Sequence, residues 1–455
     1  MIFKYMSKNS IEKISVHIIS LGCPKNLVDT EIMAAILLKN GFALSSQADE
    51  SQVMLINTCA FIKAARDESL MHIKKALKWK KRKKNRKIIL CGCLNQLKTD
   101  QNSEKILNEV DLRINLNNIE KIAEKLNELF YPSQKLETIV DEADYLPTPN
   151  TPRLILTPPH YAYLKIADGC SNHCSYCSIP LIRGKFRSRK QNYLITEAEN
   201  LLKNGTKEII LIAQDSTNYG NDINYKNGLV KLLDRLDNLN PEKYWIRLMY
   251  CHPKHFSNDL FSLLENSEHL LPYVDLPLQH ISDKILKSMN RGVTTKQTKI
   301  LIEKLRQLRR KVAIRTTFIC GYPGETEDDF QELLNFVKES SFERLGAFIY
   351  SPEPGTAAFY MEDKVPSFVS EKRLSTLLNT QREISLANNK KMIGKEIEII
   401  LDKKSSEDVF IGRSVYDAPD IDNNVELKSK KNLKTGNILK VKVIGASEYD
   451  LQAQY

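Results

Sequence analysis

A chain of 455 residues, 42% hydrophobic and 27% charged, has the balance of a globular protein and the length for two to four domains. No window approaches 18 consecutive apolar residues, which excludes a membrane-spanning helix. The short apolar stretch Ile14–Leu21 runs into Gly22-Cys23-Pro24-Lys25-Asn26 with no cleavage site, so a cytoplasmic location is expected. In that reducing compartment nine cysteines point to metal or sulfur chemistry rather than disulfides, and a net charge of +11 permits a nucleic-acid partner without requiring one.

Residues 1–135 read as an α/β unit. "ISVHIISLGC" is a strand ending on Cys23, followed by a helical apolar pattern from Asp29 to Lys39. "SQVMLINTC" is a second strand, ending on Cys59, with a helix from about Ala64. The basic run "KWKKRKKNRK", Lys78 to Lys87, is a solvated helix end; its other reading is a contact with a phosphate-rich particle. "KIILCGC" is a third strand, reaching Cys91 and Cys93. Strands alternating with helices predict a parallel sheet, whose strand C-termini gather at one edge. Cys23, Cys59 and Cys93 would meet there. Cys91 is the rival of Cys93, which is preferred because the Gly92-Cys93 turn lies past the strand end.

Six prolines between 132 and 159 mark a linker, set at 136–159. Residues 160–387 repeat strand and helix, with strands ending near Ala167, Ala213, Tyr250, Leu278, Ile319 and Tyr350. This is a (βα)-type barrel, partial or full, with its site at the C-terminal rim. Gln214-Asp215, Gln279-His280, Gly321 to Glu325 and Ser351-Pro352-Glu353 follow four of the strands. Residues 388–455 turn to short β-rich segments, a small antiparallel barrel of about five strands. Its last stretch, "ILKVKVIGASEYDLQAQY", supplies two strands or one that bends.

The densest chemistry is Cys170-x-x-x-Cys174-x-x-Cys177. A structural zinc site wants a fourth ligand, but His173 is crowded inside the loop and His160 lies on the far side of a strand. Three close thiolates suit an iron–sulfur cluster. The spacing, and its place after the first barrel strand, resemble the radical S-adenosylmethionine superfamily. The resemblance implies a 4Fe-4S cluster on these three cysteines, whose open iron chelates the amine and carboxylate of S-adenosylmethionine and whose electron releases a 5'-deoxyadenosyl radical. It further implies Glu208 near the methionine amine and Gly321 and Gly324 near the adenosine, although "GYPGE" is also simply a turn. Tyr176 packs over the cluster or adenine, or is core filler. Gln214 and Asp215 suit the ribose or the substrate. Arg247 pairs with the cofactor carboxylate or a neighbouring acid.

The second set, Cys23, Cys59 and Cys93, would again leave one iron open, able to hold sulfide or persulfide. The whole chain resembles the methylthiotransferase family, with its three-cysteine N-terminal domain, radical domain and C-terminal TRAM barrel. "SLGCPKNLVDTE" from Ser20, "HYAYLKIADGC", "IPLIRGKFRSR" from Ile179, "DLPLQH" from Asp275, "IGRSVYDAPDIDNNV" from Ile411 and "ASEYDL" resemble its RimO branch. Cys91 and Cys320 are departures. The resemblance implies β-methylthiolation of an aspartate in small-subunit ribosomal protein twelve, with two molecules of S-adenosylmethionine, a sulfur donor and a reductant such as flavodoxin or ferredoxin. Lys185 and Arg187, with Arg189 beside them, are candidates to hold the substrate carboxylate, and Asp215 and Gln279 complete the expected catalytic set. With twelve Lys or Arg and eleven Asp or Glu, residues 388–455 are nearly neutral, which suits a basic protein loop docking on Asp417, Asp420 and Asp422 better than tRNA. The alternatives are a tRNA adenosine methylthiotransferase and a non-catalytic metal-containing RNA-binding protein.

Overall fold

The computed structural model describes residues 13–97, 99–131 and 145–455, so 136–144 of the expected linker lie outside the described residues. The chain forms two compact units. The first is Met1–Leu154 together with the short segment Leu181–Gly184, and the second is Ile155–Pro180 with Lys185–Tyr455.

The first unit is a five-stranded parallel sheet of β1 (Ser15–Ser20), β2 (Ala43–Leu44), β3 (Val53–Thr58), β4 (Lys87–Gly92) and β5 (Leu112–Arg113), in the order β2-β1-β3-β4-β5. Helices α1 (Pro24–Lys39), α2 (Lys63–Lys80), α3 (Gln101–Leu107) and α4 (Ile122–Phe130) connect or follow the strands. Every residue of β3 is buried, as a central parallel strand covered on both faces requires. Strand order places the ends of β1, β3 and β4 side by side. The basic run is the exposed end of α2 and the turn after it. Arg86 is the exception, buried over the Trp79 ring and paired with Asp49.

In the second unit, β6 (Tyr161–Lys165) precedes the two-stranded ribbon β7 (Ala167–Asp168) and β8 (Arg187–Ser188), with α5 (Ile179–Arg183) between them in sequence. The remaining strands are β9 (Glu208–Ile212), β10 (Trp245–Leu248), β11 (Tyr273–Asp275), β12 (Ala313–Cys320) and β13 (Arg344–Ile349). Helices α6 (Gln191–Lys203) to α11 (Glu327–Ser340) lie between strands, and α12 (Ser367–Lys390) leads out. Sheets β6-β9-β10 and β11-β12-β13 are parallel and joined by a bridge between Ile246 and Leu270. Among the described residues β13 does not pair with β6, so the barrel is partial. No helix of the described residues is long and apolar enough to cross a membrane.

The C-terminal strands β14 (Glu396–Ser406), β15 (Val409–Ser414), β16 (Val425–Lys428), β17 (Ile438–Ala446) and β18 (Leu451–Gln454) form a closed barrel. The final stretch therefore supplies two strands. This small barrel meets the amino ends of the large sheet's strands through buried charge. Arg247 Nε lies 2.6 Å from Glu208 Oε1, and Arg413 reaches Glu208 Oε2 at 2.8 Å. Arg344 pairs with Asp417 at 2.5 Å, while Arg315 joins Asp275 at 3.0 Å and Asp422 at 3.2 Å. Tyr273 donates to Asp422 at 2.7 Å.

Two expectations are corrected by this network. Glu208, 0% exposed, is held by Arg247 at the strand end opposite the C-terminal rim and does not face a rim-bound cofactor, while Arg247 takes the neighbouring acid, the second of its two expected partners. The carboxylates of Asp417 and Asp422 are buried against arginines of their own chain, so of the three barrel acids only Asp420 is exposed to meet a basic partner. A buried carboxylate must be paired, and here the partners come from another element of the fold.

Candidate functional site

The loop Gly169–Ser178 carries three cysteines on a restrained backbone. Gly169 turns it with φ +74°, and Asp168 Oδ1 accepts the Gly169 N–H at 2.8 Å. The Cys177 N–H donates to the Cys174 carbonyl at 3.0 Å. Ser175 is fixed on three sides: its N–H and hydroxyl donate to the carbonyls of Met289 and Ser288, and its own carbonyl accepts from Ala358 N–H. His173 is exposed at φ +51°. Cys170, Cys174 and Cys177 are each half-buried. Burial pushes Cys170 up to about 11 and Cys177 up to about 12, so they become thiolates at neutral pH only when a metal takes the proton's place.

Tyr176 packs against a buried cluster that includes Ile285, Met289 and Tyr322, and its hydroxyl lies 3.4 Å from Arg291 Nη1. The same Nη1 is 3.6 Å from Cys174 Sγ, and Nη2 donates to the Pro277 carbonyl at 2.6 Å.

At the rim, Gln214 donates to Asp168 Oδ1 at 3.1 Å, while its Oε1 is buried without a hydrogen-bond partner. His252 Nε2 is likewise buried and unpartnered; burial, reinforced by Arg291, pulls this imidazole down to about 2, so it is neutral. Asp215, expected to meet the ribose or the substrate, has both carboxylate oxygens engaged by its own chain. Its Oδ1 accepts from Thr217 at 2.5 Å, and its Oδ2 receives Asn172 at 2.8 Å and His255 Nδ1 at 2.7 Å. It anchors the cysteine loop to the rim. Gln279 is a half-buried non-glycine at φ +73°, a strained position of the kind that collects at functional sites. A Cβ on Gly321 would meet Ser370 Oγ at 2.0 Å, so this glycine serves packing against α12; Gly324, with nothing within 4 Å, leaves open space for a ligand. Lys185 is exposed and Arg187 half-buried, but Arg189 is buried and bound to Glu197 at 2.6 Å, which removes it as a substrate cation.

In the first unit, Cys23 is the N-cap of α1, Cys59 follows β3 and Cys93 follows β4. Asn26 ties these ends together: its Nδ2 donates to the carbonyls of Leu21 and Thr58. Gly22 permits the approach, since a Cβ there would lie 2.8 Å from Cys59 Sγ. The three thiols are electrostatic neighbours: Cys59 feels the charge of Cys23, and Cys93 that of both. Burial pushes Cys23 up, but Lys25, Arg183 and the N–H groups of the helix start outweigh it and hold this thiol below its ordinary value. Cys91 is fully buried inside β4, and its charged neighbours are Asp29 and Arg183.

Arg183 completes this site. Its Nη2 lies 2.5 Å from Asn26 Oδ1, 3.0 Å from Asp29 Oδ2 and 3.7 Å from Cys93 Sγ. Both three-thiol sets therefore fit an iron–sulfur cluster by donor type. The buried orphan oxygen of Gln214 and the open side of Gly324 fit a polar cofactor at the rim. Sequence reasoning missed Arg183, Arg291, Asn26, His252 and His255. The spacing "HPKH" and the placement of "MNRG" after the rim were available signals for three of them; a lone arginine in "IPLIRG" gave none.

Three family profiles match the chain: the Radical SAM superfamily over 164–337, Uncharacterized protein family UPF0004 over 15–128 and the TRAM domain over 393–455. Among relatives, the ribosomal protein uS12 methylthiotransferase RimO of Desulforamulus reducens is 42% identical, covering 97% of this chain and 99% of that one. The protein of the same name from Caldicellulosiruptor saccharolyticus is 41% identical over 96% of this chain and 99% of its own. The radical S-adenosylmethionine methyltransferase TsrM from Kitasatospora setae, solved with cobalamin and a 4Fe-4S cluster, is similar in fold at TM-score 0.56 and 14% identity, covering 76% of this chain and 74% of that one. With identity near 40% over almost the whole of both chains, the chain belongs to the RimO family of radical S-adenosylmethionine methylthiotransferases.

Proposed function

We propose that this enzyme inserts sulfur and a methyl group at the β-carbon of an aspartate in small-subunit ribosomal protein twelve, in the cytoplasm, with a sulfur donor and a flavodoxin- or ferredoxin-type reductant as partners. The observation that carries the reading is two separate three-cysteine sites on one chain whose full length matches methylthiotransferases named for that ribosomal protein. One cluster with S-adenosylmethionine supplies hydrogen abstraction and methyl transfer, and the second supplies a seat for sulfur.

The residues divide the remaining work. Cys170, Cys174 and Cys177 hold the first cluster, with Tyr176 and Arg291 packed beside it. Gln214 Oε1 takes a donor from the cofactor, and Gly324 lets its backbone approach. Lys185 and Arg187 hold the aspartate carboxylate, and Gln279 helps aim the β-hydrogen, where small displacements are costly. The half-buried setting limits water at a centre that generates radicals. Cys23, Cys59 and Cys93 hold the second cluster. Glu208, Arg247, Asp215 and Gly321 are left out of this set because the fold employs them elsewhere. With Asp417 and Asp422 internal, the preference for a protein over tRNA rests on the motifs and the relatives, not on barrel charge.

The test compares the masses of ribosomal protein twelve and of tRNA nucleosides from cells with and without this gene. The expected result is a gain of about 46 Da on one aspartate, from sulfur plus methylene. Unmodified protein with gene-dependent methylthioadenosine in tRNA would replace the reading with the tRNA enzyme.

A further inference from the structure

Arg183 has the environment of a working charge. It is 2% exposed, yet it stands in a five-residue helix whose neighbours Ile182 and Leu181 are apolar. The segment Leu181–Gly184 follows the CxxxCxxC loop directly in sequence but packs as part of the first unit. Burying a guanidinium is costly unless its donors are met. Here one terminal nitrogen meets the amide oxygen of Asn26 and the carboxylate of Asp29, both in the first turns of α1, and the sulfur of Cys93 just past β4. The packing core of the first unit needs none of this: Ile182 alone joins it.

The other cysteine set offers an independent parallel. Arg291, 5% exposed, places Nη1 3.6 Å from Cys174 Sγ, much as Arg183 Nη2 stands 3.7 Å from Cys93 Sγ. Each set of three thiols is thus served by one buried arginine with an N–H group toward a ligand sulfur.

We infer that Arg183 is a positioning residue of the N-terminal cluster site, offsetting the charge of its three thiolates and donating to the Cys93 sulfur. The inference rests on the reading that Cys23, Cys59 and Cys93 hold a cluster. Reduction adds an electron to an already anionic group, so a buried cation beside it favours the reduced form; net charge and hydrogen bonds to the sulfurs set such potentials. Asp29 opposes Arg183 and fixes its orientation at 3.0 Å. Because the arginine belongs to the peptide that begins at Cys177, the chain that binds the first cluster also supplies the counter-charge of the second.

The experiment uses the full chain with Cys170, Cys174 and Cys177 all replaced by alanine, so that only the N-terminal site can hold iron. Arg183→Gln and Arg183→Lys are added in turn, and iron content and the reductive titration are followed by paramagnetic resonance. Arg183→Gln keeps hydrogen bonding without charge; its reduction equilibrium constant should fall about tenfold, a shift of about 59 mV to more negative potential. Arg183→Lys should hold the parent potential more closely than Arg183→Gln. A folded Arg183→Gln protein with parent iron and parent potential overturns the inference, as does a lysine variant that shifts as far as glutamine. If Arg183→Gln does not fold, Asp29→Asn decides: removal of the opposing carboxylate should move the potential upward, and no movement overturns the inference. A parent background holding no iron at all would refute the cluster reading, and the inference about Arg183 with it.

Discussion

The two cysteine sites each gather three thiols, by opposite routes. Cys170, Cys174 and Cys177 lie within one loop, half-buried, and most of what holds the loop is local or drawn from nearby rim segments. Cys23, Cys59 and Cys93 come from three connections in a parallel sheet, and they meet only because β1, β3 and β4 are neighbours in register. The first site is a motif within one loop; the second is a product of topology, with Asn26, Gly22 and Arg183 as its fittings. Damage to the first should therefore stay confined to its own chemistry, whereas the second is bound up with its domain's core.

The largest expected effect separates the two. Replacing Cys170, Cys174 and Cys177 together with alanine should abolish formation of 5'-deoxyadenosine and leave about half the iron, about four atoms per chain, at the N-terminal site. Loss of all the iron would mean the sites are not independent. Next, Cys59→Ala should keep 5'-deoxyadenosine formation and lose the methylthio product, while Cys91→Ala should keep both and cost only about 1 kcal/mol in denaturant unfolding. Product loss in Cys91→Ala with activity in Cys93→Ala would exchange the two as ligands.

A third measurement asks whether charge assembled from distant elements behaves as structure. Glu208→Gln leaves the buried Arg247 without its carboxylate and Arg413 with Asp402 alone, and should destabilise the chain by about 3–5 kcal/mol, with S-adenosylmethionine affinity by equilibrium dialysis unchanged. Burial pushes the Glu208 carboxyl up, but Arg413 and Arg247 outweigh it and hold it below the ordinary range. Its contribution is therefore present above about pH 4.3 and lost as pH falls through the lower folded value. Weakened cofactor binding at full stability would return Glu208 to the cofactor site.

The smallest effect concerns His280, at the rim and within a sequence-local motif. Burial pulls its imidazole down to about 4. The unfolded chain, with the ordinary value of about 6.5, then takes the proton first, so stability should decline as pH falls from about 6.5 to about 4, by at most about 3 kcal/mol. His280→Gln should flatten urea-monitored stability across that window; an unchanged slope would place the acid sensitivity elsewhere.

The chemistry of this protein was legible in its residues because it depends on spacing and period. Three thiols within eight positions, and strands ending on Cys23, Cys59 and Cys93, are patterns a linear chain displays. The six strands of the radical domain and the five-stranded terminal barrel were readable for the same reason: alternation and turn residues are local properties. What the linear chain could not disclose was which charges are spent internally. Glu208, Arg247, Asp417 and Asp422 read as site or docking residues until the small barrel is seen against the amino ends of the sheet, where each finds its partner. Asp215 reads as a ribose or substrate contact until Asn172, Thr217 and His255 occupy it. Arg183 carries no signal in the sequence, and its place is set only where its short segment packs with the first unit. An ionised side chain shows its charge in the sequence, but its role depends on what neutralises it, and that partner is chosen by packing across tens or hundreds of residues.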